Sequence, residues 1–217
     1  MTINLGTNFL LLITLSLMEI LFIIIPALIS SKIRKSTFFM ELNEMGFSRG
    51  LRTYRQVILN IISGLTIGAL LFVISPYLLS FITSSVLIPL FGAEFVQNGF
   101  ENAISTQPVN PSIIELSILI IIQIIITGPC EEAFFRGFLI SKFNKKVKLR
   151  YAILISSLIF TFYHTPFFLV PISTIILFFP YYFVIGLILA LVFVYSKYSL
   201  LPCFVAHSIF NILILLL

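Results

Sequence analysis

The chain has 217 residues, of which 59% are apolar and only 10% charged, and its mean hydropathy is +1.16. Soluble globular chains carry about 45–50% apolar and about 25% charged residues, so a freely soluble fold is excluded, and so is disorder, which needs a deficit of apolar surface. The formal charge of +5 does not point to nucleic acid, because Lys and Arg lie in short clusters between apolar runs rather than on one exposed face.

A bilayer core of about 30 Å takes about 20 apolar residues in helix. Six segments meet or approach that length: Phe9–Ile29, Val57–Phe81, Ile113–Ile140, Tyr151–Tyr163, Pro180–Tyr195 and Leu200–Leu217. Two further apolar stretches, Ile82–Phe91 and Phe167–Phe179, are short or bounded by proline and read as re-entrant, interfacial or extensions of their neighbours. The expectation is an all-α fold, a polytopic transmembrane helix bundle of six to eight membrane helices. Residues 1–217 form one membrane domain, with N-terminal spans over 1–112 and a core over 113–217. No Lys or Arg precedes Lys32 and no small-residue cleavage site follows the first run, so that run reads as a retained anchor, not a signal peptide.

Basic residues give the orientation. Lys32, Arg34, Lys35, Arg49, Arg52 and Arg55 fill the first loop, Lys142 to Arg150 another, and Lys197 the last. Six spans place all of them on one side. The opposite loop, Gly92 to Pro111, carries Glu94 and Glu101 and no Lys or Arg. By the positive-inside rule the basic side is cytosolic. The location expected is a cell membrane, crossed several times, with lipid as a partner.

An ionisable residue within a span is costly and is by default functional or paired. The chain places Glu131, Glu132 and Arg136 in its third span, His164 in the fourth and His207 in the sixth. At about 1.5 Å per helical residue, Glu131, His164 and His207 each lie roughly 15–20 Å from the nearest cytosolic basic residue. One shared site is expected, opening toward the cytosol. Glu132 and Arg136 are four apart with the acid first, the favourable order for a helical ion pair, and Glu131 is turned about 100° away. Phe160 and His164 share a face, as do His207 and Asn211. Gly128 and Pro129 should make the third span irregular.

Taken in order on three apolar helices, E-E-x-x-x-R, F-x-x-x-H and H-x-x-x-N resemble the signature of the CPBP family, the CAAX prenyl endopeptidases and the bacteriocin-processing and immunity proteins. The resemblance covers Ile113 to Asn211. It implies an intramembrane endopeptidase in which Glu131 with His164 orients and deprotonates water, His207 and Asn211 hold the oxyanion, and Glu132, Arg136 and Phe160 support them. The same Glu131, His164 and His207 also form a His₂Glu set suited to a catalytic zinc; no cofactor is required by the glutamate mechanism, and sequence leaves the two open.

Read singly, these residues have plainer roles. Glu132 with Arg136 is a structural pair, and His164, His207 and Asn211 are hydrogen-bonding glue between helices. Cys203, one turn before His207, invites a thiol reading, but Cys in apolar context, like Cys130, is usually a small buried side chain. Glu19 either neutralises Arg136 or lines the cavity. The substrate expected is a small membrane-associated peptide or protein near the cytosolic face, a leader or signal peptide or a CAAX-like one, and the membrane a bacterial plasma membrane. A non-catalytic immunity or regulatory protein and a proton-coupled transporter are the competing readings. Clustering of the polar groups at one depth argues against the transporter, which needs a polar route to both faces.

Overall fold

The computed structural model describes residues 3–48 and 53–217. Among them the apolar runs form α1 (Phe9–Arg34), α3 (Tyr54–Phe91), α5 (Ile113–Phe143) and α7 (Ile172–Tyr195), each long and apolar enough to cross a membrane. Two shorter apolar helices, α6 (Leu149–His164) and α8 (Leu201–Leu216), complete the set of six. Two small helices, α2 (Phe38–Met45) and α4 (Ala93–Glu101), lie in the first two loops. The result is an all-α polytopic bundle; the single departure among the described residues is a parallel pair of two-residue strands, β1 (Ile3–Asn4) and β2 (Ile104–Ser105). Arg49 and Arg52, assigned to the basic loop from the sequence, lie outside the described residues.

Local chemistry sets the ends. Ser112 and Glu115 form a reciprocal capping box at the start of α5, Thr53 caps α3, and Thr37 caps α2. Gly46 ends α2 at φ +104°, where a Cβ would come within 2.5 Å of the Tyr198 carbonyl, so only glycine fits. Of the two ambiguous stretches, Ile82–Phe91 continues α3, whereas Phe167–Phe179 is divided. Its first part is a turn, closed by Pro171 in extended conformation, and Ile172 opens α7. Proline before a helix start needs no backbone donor, which explains the break.

Two ends of the bundle are fixed by polar contacts. At one, Arg34 pairs with Glu41 and Glu44, Lys142 bonds Glu41 at 2.7 Å and Lys145 bonds Glu44 at 3.0 Å. The loops after α1 and α5 therefore share a face. At the other, β1 pairs with β2, and Gln107 Nε2 donates to the Ile214 carbonyl at 2.8 Å. The first strand, the loop before α5 and the end of α8 therefore share the opposite face, as the six-span threading requires.

Beneath the basic face lies a sealed apolar cluster that includes Ala27, Met45, Ile140, Phe193, Leu200 and Cys203, each 0–2% exposed. Small residues bring α3 against α8. A Cβ on Gly64 would meet the Pro202 carbonyl at 2.8 Å, and one on Gly68 the Ala206 carbonyl at 2.5 Å. Membrane helices, which gain little from apolar burial against lipid, associate through such close approach.

Candidate active site

Helix α5 contributes three of the ionisable residues from an irregular stretch. Its backbone widens into π-helical turns over Gln123–Thr127 and Ala133–Ile140, and Gly128–Glu132 forms a regular turn between them. The irregularity expected at Gly128 and Pro129 thus takes the form of a wide turn just before the proline, within a continuous helix. Gly128 also lets α8 approach, since a Cβ there would stand 2.2 Å from Ser208 Oγ.

Glu132 and Arg136 are fully buried and paired at 3.0 Å. Arg136 also donates to the Gly186 carbonyl at 3.2 Å and lies 4.4 Å from the Phe160 ring centroid. The same Glu132 oxygen that takes Arg136 accepts His207 Nδ1 at 2.8 Å. Phe160 serves twice, because its carbonyl lies 3.0 Å from His164 Nδ1 and its ring packs 4.2 Å from the imidazole.

These contacts decide which nitrogens carry protons. A carbonyl and a carboxylate can only accept, so Nδ1 is the donor in both histidines, and a neutral ring presents a bare lone pair at Nε2. Those two Nε2 atoms face Glu131, with His164 at 3.8 Å and His207 at 4.0 Å from Glu131 Oε2. Glu131 Oε2 is itself buried and without a hydrogen-bond partner. Three acceptors from α5, α6 and α8 therefore converge on one spot that only a donor can satisfy. A water there, about 2.8 Å from its partners, can donate to two of the three.

Zinc fits less well. With bonds of about 2.0–2.2 Å, two donors at a tetrahedral angle stand about 3.4 Å apart, closer than Glu131 is to either ring. Among the described residues no group of three His, Cys or Glu side chains is spaced to hold a metal ion. As placed, the donor set does not make a zinc site.

Asn211 is one turn beyond His207, but its side chain is engaged: Nδ2 donates to Gln123 Oε1 at 2.9 Å, and Ser208 on the same face donates to the Gln123 carbonyl at 2.7 Å. Gln123 is the site residue that the sequence reading passed over. Its signal was present, as an amide inside an otherwise apolar run and four residues apart from Thr127, which is four from Glu131. Glu19, at a break in α1, lines the cavity and does not pair with Arg136. Cys203 Sγ faces the Leu189 and Ser199 carbonyls at 3.6 and 3.9 Å, within the sealed cluster.

A cavity of about 910 Å³ contains the site, at the upper end of the roughly 300–1,000 Å³ usual for ligand pockets. Glu131, His164, His207 and Asn211 line it together with Tyr163, Tyr182 and apolar side chains of α1. It reaches Gln107, Pro108 and Ile214, and no residue of the basic loops lines it. Its lining runs from Ile25, Pro26 and Leu189 past Glu131 to Gln107 and Pro108.

Residues 113–213, just under half of the chain, match the family model described as Rce1-like, type II CAAX prenyl endopeptidase. Over that stretch the chain is similar to the CAAX-type endopeptidases. Neither a curated protein nor a solved structure matches the chain. The four long apolar helices and this likeness fit a multi-pass membrane protein. All three CPBP motifs lie within the matched residues, and the structure brings Glu131, His164, His207 and Asn211 to a single cavity.

Proposed function

We propose that the protein hydrolyses a peptide bond in a small membrane-associated peptide, using a water held by Glu131 and His164 and no metal. The convergence of three hydrogen-bond acceptors on one buried point carries this reading. Glu131 removes a proton from that water, and the hydroxide adds to the carbonyl carbon. The oxyanion formed takes a hydrogen bond from the second Nδ2 proton of Asn211, Gln123 holding the first, while His207 Nε2 accepts from the attacking water. Collapse breaks the C–N bond, and the proton on Glu131 passes to the departing amine.

Supporting groups have separate tasks. Glu132 fixes the His207 ring while neutralising Arg136, an otherwise uncompensated buried charge. The Phe160 carbonyl fixes the His164 ring, the kind of orienting contact on which imidazole chemistry depends. Apolar walls from α1 and α8 suit an apolar peptide in extended form, because a helical one keeps its carbonyls bonded internally. A bacterial plasma membrane is the setting we propose, with leader or signal peptides as substrates.

The test is cleavage of membrane-associated peptides encoded in the same genome by purified protein, comparing wild type with Glu131→Ala and His164→Ala at matched folding, each with and without a chelator. Loss of cleavage in both variants, with wild type indifferent to the chelator, is the expected result. Folded variants that keep the protein's cellular effect would overturn catalysis in favour of a binding role, and a chelator-sensitive wild type would overturn the metal-free step.

A further inference from the structure

One carboxyl in the cavity is left idle by the proposed hydrolysis. Glu19 of α1 lines the cavity from outside the residues matched by the family model. The helix is overwound there, since the N–H groups of Glu19, Ile20, Phe22 and Ile23 each donate to the carbonyl three residues earlier. Tightening of this kind in mid-helix often marks a functional position or a strained sequence. Glu19 Oε2 is buried without a hydrogen-bond partner. The same holds for Thr127 Oγ1 and Glu131 Oε2, whose residues are 5% and 3% exposed. Thr127 and Tyr163 are neighbours of Glu19, yet Glu19 Oε2 and Thr127 Oγ1 are not in bonding geometry with each other. Buried polar atoms in native proteins are nearly always paired, so this group calls for an occupant that donates hydrogen bonds.

Charge narrows the chemistry of that occupant. Among the described residues lining the cavity there are two carboxyls, Glu19 and Glu131, and no Lys or Arg. Arg136 is committed to Glu132 and the Gly186 carbonyl. In a chain of net charge +5, the cavity is acidic. Phe22, whose N–H donates to the Glu19 carbonyl at 2.8 Å, packs 5.2 Å from the Tyr163 ring, and both rings line the cavity. A carboxylate beside aromatic faces suits an ammonium or guanidinium group.

Spacing gives the place of that group along a peptide. Gln123, Thr127 and Glu131 follow at four-residue intervals on α5, so Thr127 lies about 6 Å along the helix from Glu131. Two residues of extended chain cover about 6.6 Å, and their side chains share a face. We propose that Glu19, with Thr127, Phe22 and Tyr163, forms an acidic subsite for the Lys or Arg side chain of a substrate residue two positions from the cleaved bond. This deepens the protease reading and rests on it, narrowing the substrate to an apolar peptide with a basic residue near the scissile bond. The basic group donates to Glu19 Oε2 and Thr127 Oγ1, and its charge offsets that of Glu19.

The test uses purified full-length protein and N-acetylated apolar peptides in which a single Lys is moved along the sequence, each matched by a peptide with norleucine at the same place. Norleucine keeps the stem and removes the charge. Wild type should cleave the Lys peptides about tenfold faster, the worth of one charged hydrogen bond, and the cleaved bond found by mass spectrometry should move with the Lys at a constant offset of two residues. In Glu19→Gln the preference should fall to within about threefold, and in Glu19→Lys it should turn toward peptides with Glu in place of Lys. Phe22→Leu keeps the apolar bulk without the ring and should reduce the preference about threefold, which keeps the subsite testable if Glu19→Gln folds poorly. Equal rates for Lys and norleucine peptides in wild type, a cleaved bond indifferent to the Lys, or a preference that survives both Glu19→Gln and Phe22→Leu overturns the subsite and leaves the protease standing. If neither series is cleaved, the protease reading fails and fluorescence anisotropy of the labelled peptides decides the subsite alone. Tighter binding of Lys than of norleucine peptides, lost in Glu19→Gln, then supports it, and equal Kd values overturn it.

Discussion

His207 donates through Nδ1 to Glu132 Oε1 at 2.8 Å, and the same oxygen takes Arg136 at 3.0 Å. One buried oxygen therefore both neutralises a cation and aims an imidazole at the cavity. Glu132→Gln keeps the shape and removes the charge. We expect kcat to fall about 10–100-fold, the usual cost of losing an orienting partner, with KM little changed. Melting should drop as well, since an unpaired buried Arg136 costs about 3–5 kcal/mol. The double variant Glu132→Gln, Arg136→Met should recover the melting temperature but not kcat; recovery of both would reduce Glu132 to a structural role.

Glu131 shows the opposite balance. Its Oε2 is buried with no hydrogen bond to the protein's own groups to lose, and burying such an acceptor opposes folding by about 1–3 kcal/mol. Glu131→Gln should therefore melt no lower than wild type while activity falls by about 10²–10⁴-fold, the range for loss of a general base. A clearly lower melting temperature would show that Glu131 is part of the scaffold.

Gly68 lies outside the catalytic motifs, yet it holds α8 in place. A Cβ there would stand 2.5 Å from the Ala206 carbonyl, next to His207 in the chain. Gly68→Val should push α8 outward and cut activity by about 10²-fold, as an error of about 1 Å in positioning does. Gly92→Ala serves as the contrast, because no atom lies within 4 Å of a Cβ there although its φ is +86°. Its strain should cost stability without changing kcat, and equal kcat losses in both variants would refute the positioning argument.

Stability should also depend on acid at the basic face. Arg34 bonding Glu44, with Lys145 beside it, holds the Glu44 carboxyl down at about 2, against an ordinary 4.5. A depressed carboxyl stabilises the fold fully above about pH 4.5, and the contribution disappears as pH falls toward 2. Glu44 is 34% exposed, so the pair is worth only about 0–1 kcal/mol. The melting gap between wild type and Glu44→Gln should be present at pH 6, shrink by pH 3 and narrow with added salt. A gap that does not change with pH would rule out the ion pairs as its source.

Most of the span pattern was legible in the sequence, because a bilayer demands long apolar runs and α1, α3, α5 and α7 supply them outright. The shorter α6 and α8 were legible through their flanking charges. Polar residues inside apolar runs marked Glu131, His164 and His207, and the sparseness of such residues made them stand out. Gln123 was lost against the ionisable groups, being uncharged, although its spacing from Thr127 put it on the same face as Glu131. Glu41 and Glu44 were read past for a different reason. Their partners Lys142 and Lys145 are about a hundred residues away, and only the packing of α2 under α5 brings them together. The apolar cluster beneath the basic face had no local signature at all, since it depends on where Met45, Phe193 and Leu200 meet.

That closed end also has an electrical consequence. A membrane enzyme that admits water to its interior shortens the insulating layer across which the cell maintains its voltage. In a well open at both ends, ions and protons would leak through. Here the apolar cluster from Ala27 to Cys203 remains as an insulating layer on the basic side of the site. An elementary charge crossing the full potential is worth about 2.3 kcal/mol per 100 mV, so a layer that stays dry lets water reach Glu131 without giving ions a path across the membrane.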